Sequence, residues 1–416
     1  MRTYDKIKYS GVHWIGEIPD HWEIKRLKYV AEVFPSNVDK KSKEEEEEIL
    51  LCNYMDVYKN DYINSTIEFM NATASDSQIK TFKLNKGDVL ATKDSETPDD
   101  IAVSAYVEED FDNVICGYHL THIKPNSKNL IGLFLFRLLQ SKNYCQYFTT
   151  LARGVTRYAL NTSAFSEMPT IVPPIKEQTA IANYLYAKTT EIDQTIADKE
   201  VLINLFEEEK KASINETVTK GLNPKVKLKP SGIDWLGDIP EHWEVKKLKY
   251  VISIKSGDSI ATTDVSDEYI IPVYGGNGIM GYTTKSNSTC KELIIGRVGA
   301  YCGNVYLSDA EKWISDNALR VSTNQIWEFM FHFLKALDLN KYASQNAQPL
   351  ITGSLVKDQY IPVPPIKEQT SIVQYIEKET TNINEKITLT KQEIELLKEY
   401  RQALIFEAVT GKICVL

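Results

Sequence analysis

The chain states one plan twice. Residues 10–30, SGVHWIGEIPDHWEIKRLKYV, return as residues 231–251, SGIDWLGDIPEHWEVKKLKYV, and the segment opening VPPIKEQT at Val172 opens again at Val363. Two different blocks repeated in the same order define a duplicated frame: block, variable stretch, second block, then all of it again. The unit is far too long for a solenoid, whose period runs about 20–50 residues. The first insert, residues 31–171, is about thirty residues longer than the second, residues 252–362, and beyond that the two look unrelated. A frame that is kept while its inserts differ suits a protein presenting two different surfaces in one fixed geometry.

Charge and composition narrow the class. The formal charge of −9 over 416 residues argues against nonspecific nucleic-acid binding over the whole surface, yet permits a local basic groove. Basic runs stand at 23–28 (EIKRLK), 221–229 (GLNPKVKLK) and 244–249 (EVKKLK); acidic clusters stand at 43–48 and 206–211 and read as solvated faces. The opening MRTYDKIKYSGVHW has no apolar segment of a secretory signal. The longest apolar run, 130–139, contains an arginine and falls well short of the ~20 residues of a membrane span, so the expected location is the cytoplasm. Six cysteines include no CxxC pair, which fits small buried side chains. The nearest approach to a metal cluster is CGYHLTH, with Cys116, His119 and His122; in a strand the two histidines face opposite ways, and no metal site is expected.

Each insert reads as strands, then one helix, then a polar loop. Residues 82–92, 101–107 and 114–124 alternate like strands and 131–148 has helical spacing; in the second insert 269–275, 292–307 and 318–322 read as strands and 326–343 as a helix. The VPPIKEQT blocks start long helices. Pro173-Pro174 and Pro364-Pro365 suit an extended approach to a first turn, with Glu177 and Glu368 favouring the helix dipole. Leu185, Ile192, Ile196, Ile203 and Phe206, and in the second copy Ile376, Ile383, Ile387, Ile394, Leu397 and Leu404, form a seam over several heptads. Two such helices of about forty residues, ~60 Å each at 1.5 Å per residue, bury their seams most simply on each other, antiparallel. VTKG at 218–221 and VTGK at 409–412 close the copies equivalently, and joining the chain ends would nearly restore the first junction; the termini are expected to lie close together.

Taken together, the duplicated SG-W-GEIP-like block, the VPPIKEQT helices and the junction VTKGLNPKVKLKPSGIDWLG resemble the specificity subunit of type I restriction-modification systems, the HsdS family. The stretches at 51–63 (LCNYMDVYKNDYI), 88–100 (DVLATKDSETPDD, after Gly87) and 153–165 (RGVTRYALNTSAF) resemble its target recognition domains. The resemblance implies an α+β fold with two mixed α/β target recognition domains separated by a pair of long antiparallel coiled-coil helices, in a pseudo-twofold circular arrangement. The corresponding segments are 1–171 for the first recognition domain, 172–224 for the central helix and junction, 225–362 for the second domain and 363–416 for the C-terminal helix. It also implies a noncatalytic subunit whose two domains each read one half of a bipartite, asymmetric site in double-stranded DNA. The helices set the gap and dock two modification subunits, which methylate adenine at N6 with S-adenosylmethionine. Restriction subunits with ATP- and magnesium-dependent translocase and nuclease activity join the larger assembly, and this chain binds no cofactor itself.

Enzyme motifs do not compete with this reading. Gly276, Gly278 and Gly281 satisfy GxGxxG, but the following YTTKSNST is no helix start and a mobile glycine turn is the simpler expectation. The chain has neither a GxxxxGK[ST] nor a [DN]PP[YF] motif, and TPDD at 97–100 has no acid-x-Lys near it. The HW pairs, His21-Trp22 and His242-Trp243, are expected to fix the frame against its helices, together with Trp14 and Trp235. DNA contact requires cations for phosphates and Arg, Lys, Asn or Gln for base edges. The candidates are Lys93, Ser95, Arg153, Arg157, Tyr158 and Asn161 in the first insert, and Asn277, Tyr282, Lys285, Arg297, Tyr301, Gln345, Asn346 and Gln348 in the second. Lys25, Arg26 and Lys28, with Lys246, Lys247 and Lys249, suit phosphate, solvent or partner contacts equally. A scaffold or adaptor whose inserts bind proteins is the alternative function.

Overall fold

Pro173-Pro174 and Pro364-Pro365 each end a strand and release a helix. The prolines cannot donate to a ladder, and the carbonyls of Pro174 and Pro365 take the first helical amides, from Glu177 and Gln178 and from Glu368 and Gln369. The helices that follow run Ile175–Lys220 and Ile366–Val409, 46 and 44 residues. Gly221 and Gly411 terminate them at positive φ, +76° and +72°. A Cβ at Gly221 would meet the Trp243 ring at 3.0 Å, and one at Gly411 would meet Pro19 at 2.3 Å. Each helix therefore ends against a frame block. The computed structural model describes residues 3–344 and 349–415; Gln345, Asn346 and Gln348 lie outside the described residues.

The chain forms two units, residues 1–199 with 392–416, and residues 200–391. In the first, frame strand Glu23–Arg26 pairs antiparallel with Pro169–Val172, the strand that closes the insert. Between them the insert builds a five-stranded sheet in the order Ala31–Pro35, Leu120–Pro125, Val89–Thr92, Ser104–Val107, Tyr62–Ile63, and a three-stranded sheet with Glu47–Cys52 at its centre. One core contains Trp22 and Leu27 of the frame, Phe134 and Leu138 of the insert, and Ile181, Leu185, Leu404 and Ile405 of the long helices. Both chain ends lie in this unit, where Lys412 Nζ donates to Glu17 O at 2.9 Å, as the circular order of the blocks requires.

In the second unit, frame strand Glu244–Lys247 pairs with Tyr360–Val363, and the insert holds a four-stranded antiparallel sheet, Ile252–Ser256, Ala318–Thr323, Glu292–Gly296, Val305–Ser308, beside a three-stranded one. The inserts, unrelated in sequence, thus share a plan. Ala31–Pro35 pairs with Leu120–Pro125 as Ile252–Ser256 pairs with Ala318–Thr323. A helix then follows, and a short helix capped by Asn161 or Thr352 precedes the closing strand.

Within each unit the long helices run antiparallel. Lys199 pairs with Glu393 at 2.6 Å and Arg401 with Asp193 at 2.9 Å in the first; in the second Lys210 reaches Asn384 at 3.1 Å and Lys386 lies over Phe206. The buried Arg137 ties the first insert to the central helix. It donates to Tyr62 Oη and, at 2.8 Å, to Thr189 Oγ1.

Several expected elements differ. The single helix at 131–148 is two, Gly132–Gln140 and Lys142–Leu151, because Ser141 is extended and turns its hydroxyl back to Leu138 O. The helix at 326–343 stops at Ala336; Asp338 takes a left-handed conformation, and a short 3-10 turn, Leu339–Tyr342, follows. Phe82 ends a helix, Asp76–Phe82, rather than starting a strand. Gly278 to Thr283 is strand, so GGNGIMGY is a hairpin and not a loose turn.

The repeated KEQ triplet holds this plan together. Glu177 accepts from Tyr4 Oη, His21 Nε2 and Trp22 Nε1 at 2.7–2.9 Å, and Glu368 accepts from His242 Nε2 and Trp243 Nε1 at 2.9 and 3.1 Å. The neighbouring glutamines reach the inserts. Gln178 Oε1 accepts the amide of Ile131 at 2.8 Å and Gln369 Oε1 that of Ile326 at 3.1 Å, the cap residues of the two insert helices. Gln178→Ala and Gln369→Ala are each expected to cost about 1–3 kcal/mol by leaving a helix-start amide unpaired, measured by urea unfolding. Burial opposes ionisation of Glu177, but the hydrogen bonds from Trp22, His21 and Tyr4 hold its carboxyl below the usual value of 4.5. A depressed folded value gives stability that is complete above 4.5 and lost as pH falls through the lower value. Glu177→Gln is expected to flatten the stability curve below that pH; an unchanged slope would refute the assignment.

Candidate nucleic-acid interface

Two polar stretches far apart in the first insert meet on one short ladder, Tyr158↔Ser95 and Ala159↔Asp94, continued by Leu160 N donating to Lys93 O at 2.8 Å. The carboxylate of Asp94, 12% exposed, accepts from Arg157 Nη2 at 2.5 Å and from His119 Nδ1 at 2.8 Å. An ionised carboxylate only accepts, so the ring proton of His119 is assigned to Nδ1, and the 3.1 Å approach of Arg157 Nη2 to that nitrogen is a contact rather than a hydrogen bond. The same carboxylate raises the pKa of Arg157, chiefly through its hydrogen bond.

Aromatic rings surround this group. Helix Tyr54–Lys59, started by a capping box between Asn53 and Asp56, stacks Tyr54 on Tyr58 at 5.5 Å. Tyr118 is 45% exposed, and Lys93 lies 5.3 Å above its ring while donating to Ser36 O at 2.9 Å; burial lowers the pKa of Lys93. A pocket of about 300 Å³ opens between Leu51, Asn53, Tyr54, Tyr118 and His119, and another of about 540 Å³ between Tyr54, Tyr58, Asp94, Asp100 and Arg157.

Lys93, Ser95, Arg157 and Tyr158 are thus brought together, with Ser95 buried. Arg153 is exposed beside them, its backbone bridged to Ala159. Asn161 is engaged differently, its Oδ1 accepting from Ala164 N at 3.0 Å as a helix cap. In the second insert Asn277, in the hairpin turn of the three-stranded sheet, lies near the segment that follows strand Glu292–Gly296 of the four-stranded sheet and carries Arg297 and Tyr301. The turn at Gly276 fits against Val298 O, Asn304 Nδ2 donates to Asn277 Oδ1 at 3.3 Å, and Arg297 Nη1 donates to Asp316 O at 3.3 Å. Tyr282 and Lys285 lie toward the far end of the strand, Lys285 paired with Asp264 at 2.8 Å. Three frame cations face their own inserts, Arg26 and Lys28 both reaching Glu167 at 2.5 Å and Lys247 reaching Asp358 at 3.3 Å, whereas Lys25 and Lys246 pair within the frame, with Glu23 and Glu244 at 2.6 Å.

Sequence reasoning missed Asp94, Tyr54, Tyr58 and Tyr118, and weighed His119 only as a metal ligand. Its neighbour in CGYHLTH, His122, is buried on Asp88 at 2.7 Å. The tyrosine spacing in LCNYMDVYKNDYI, i and i+4 on a helix, was the signal available.

A family model described as type I restriction modification DNA specificity domain matches residues 19–200 and again 240–399. The chain belongs to this family. Among its curated relatives, the Escherichia coli EcoprrI specificity subunit is 33% identical over 147 residues, 33% of this chain and 36% of that one. The putative MjaX specificity subunit of Methanocaldococcus jannaschii is 25% identical with 96% of each chain covered. Two solved structures share this chain's fold. One comes from work on complex assembly and conformational transition of the type I R-M system, with TM-score 0.73, 17% identity and 95% and 99% of the two chains covered. The other is the HsdS subunit of Thermoanaerobacter tengcongensis, with TM-score 0.55, 19% identity and 95% and 98% covered. Each family match falls on one insert with its flanking frame. No helix among the described residues is long and apolar enough to cross a membrane.

The geometry makes Asp94 the anchor of the loop that carries Arg157. Asp94→Ala is expected to raise amide exchange at Tyr158 and Ala159 by about tenfold, the equivalent of one charge-assisted hydrogen bond, with the far-UV spectrum unchanged.

Proposed function

We propose that this chain is the DNA-reading subunit of a type I restriction-modification complex, noncatalytic by itself, with each insert reading one half of a bipartite asymmetric site. The observation that carries the reading is the double family match, once over each insert. The two inserts follow one plan but end in different polar faces, Arg157 with His119 and a tyrosine cluster in one, Asn277 with Arg297 and Tyr301 in the other. Arg297 supports it further, since its exposed Nη1 is held only by long bonds, to Ser256 Oγ at 3.4 Å and Asp316 O at 3.3 Å. A guanidinium left short of acceptors is suited to a phosphate or a guanine edge.

In this reading the duplicated frame and long helices set the gap between half-sites and dock two methyltransferase subunits. Restriction subunits join the full assembly. S-adenosylmethionine, ATP and magnesium belong to those partners and not to this chain. Lys93, Ser95, Arg153, Arg157 and Tyr158 serve the first half-site and Asn277, Tyr282, Lys285, Arg297 and Tyr301 the second, with Asn161 contributing through the loop it caps.

The test is fluorescence anisotropy of the complex with the methyltransferase on duplexes altered base by base, repeated as salt is raised. Arg157→Ala and Arg297→Ala are each expected to weaken binding by about tenfold or more and to relax discrimination in one half only. Equal loss of discrimination in both halves, or specific binding that fades with salt as fast as nonspecific binding, would overturn the reading.

A further inference from the structure

The hairpin of the second insert exposes two adjacent apolar side chains that a regular strand would send to opposite faces. Strands Ile271–Gly275 and Gly278–Thr283 join through the two-residue turn Gly276-Asn277. The register pairs Val273 with Gly281 and Tyr274 with Ile279, so Met280 is one residue too many. Such a bulge re-aims side chains. Ile279 and Met280 are 50% and 53% exposed, while Gly278, Gly281 and Thr283 along the same strand are buried.

The surroundings are built to allow this. A Cβ at Gly275 would meet Met280 Sδ at 2.8 Å, and one at Gly281 would meet Val265 Cγ1 at 2.5 Å. Glycine inside a strand weakens it, so the sequence gives up strand stability to hold these two side chains outward. Polar groups lie at the turn end of the hairpin. Asn277 at the turn is held by Asn304, the 297–304 loop carries Arg297 and the 61%-exposed Tyr301, and Arg297 approaches Ser256 beside the exposed Lys255.

A two-stranded ribbon is one of the shapes that the major groove of DNA admits, and the apolar feature displayed there is the thymine C5-methyl group. Amide and guanidinium groups flanking the ribbon match the donors and acceptors of the base edges beside it. Resting on the DNA-reading assignment above, we infer that the hairpin at residues 271–283 enters the major groove of the half-site read by the second unit. There Ile279 and Met280 act as specificity determinants by covering thymine methyl groups.

The experiment uses the complex with the methyltransferase and a duplex carrying its own site, with each thymine of that half-site replaced in turn by deoxyuridine, which differs only by the methyl. At the contacted thymine the loss is expected to weaken binding about fourfold, the worth of one buried methyl. In the Ile279→Ser, Met280→Ser double variant, the thymine and uracil duplexes should bind alike, while methyl removal in the other half-site changes nothing in either protein. Both side chains are half-exposed, and thermal melting is expected to show the variant folded. The inference fails if that half-site contains no thymine, if no thymine responds, or if the variant still senses the methyl. It also fails if the variant keeps its DNA preference but loses the methyltransferase, which would make the patch a protein contact. A wild-type complex without sequence-specific binding defeats the DNA-reading assignment itself; specific binding that ignores the methyls defeats only the hairpin.

Discussion

The fold depends on how two neighbouring side chains at the start of each long helix divide their work. Glu177 and Glu368 face the frame, where buried tryptophans and their adjacent histidines donate to the carboxylates. Gln178 and Gln369 face the insert, where a helix begins with an amide that needs an acceptor. A charged acceptor suits donors from Trp and His, and an amide suits the backbone because it can accept from the helix start and donate to a carbonyl at once. Gln178 does both, with Nε2 on Pro173 O at 2.7 Å, as does Gln369 on Pro364 O at 2.9 Å. One short motif thereby fixes frame, insert and helix to each other, and its repetition means that both inserts are mounted in the same way.

The mounting explains why the inserts can differ so freely. Their first strand, the strand that pairs with it, the following helix and the capped helix before the exit are common to both, whereas the loops between them are not. The polar faces sit on those loops and hairpins: Arg157 beside Asp94 in one, Asn277 beside Asn304 in the other. Variation there leaves the core contacts of Trp22, Trp243, Phe134 and Phe329 intact.

Much of this was legible in the residues. The duplicated blocks gave the order of the parts, and the double prolines with heptad-spaced isoleucines marked two helices whose bounds fall close to those observed. The breaks at Ser141 and Asp338 were hidden because neither residue forbids a helix; backbone conformation decides there. The shared plan of the inserts was hidden for a related reason, since strand pairing leaves no trace when the pairs change identity together. At the candidate interface, residue type pointed to Arg157 and Arg297. Their settings did not show, because Asp94 and His119 reach Arg157 only through the fold. The exposure of Ile279 and Met280 depends on register, which no alternation count reveals.

The central claim is that the frame sets the geometry while each insert supplies one half of the recognised sequence. Methylome sequencing of cells carrying this chain with its methyltransferase, before and after residues 31–171 are exchanged for the corresponding insert of a relative, tests it most directly. The account predicts a split motif with a constant gap, altered in one half by the exchange. A continuous palindromic motif, or an exchange that changes both halves together, would contradict it.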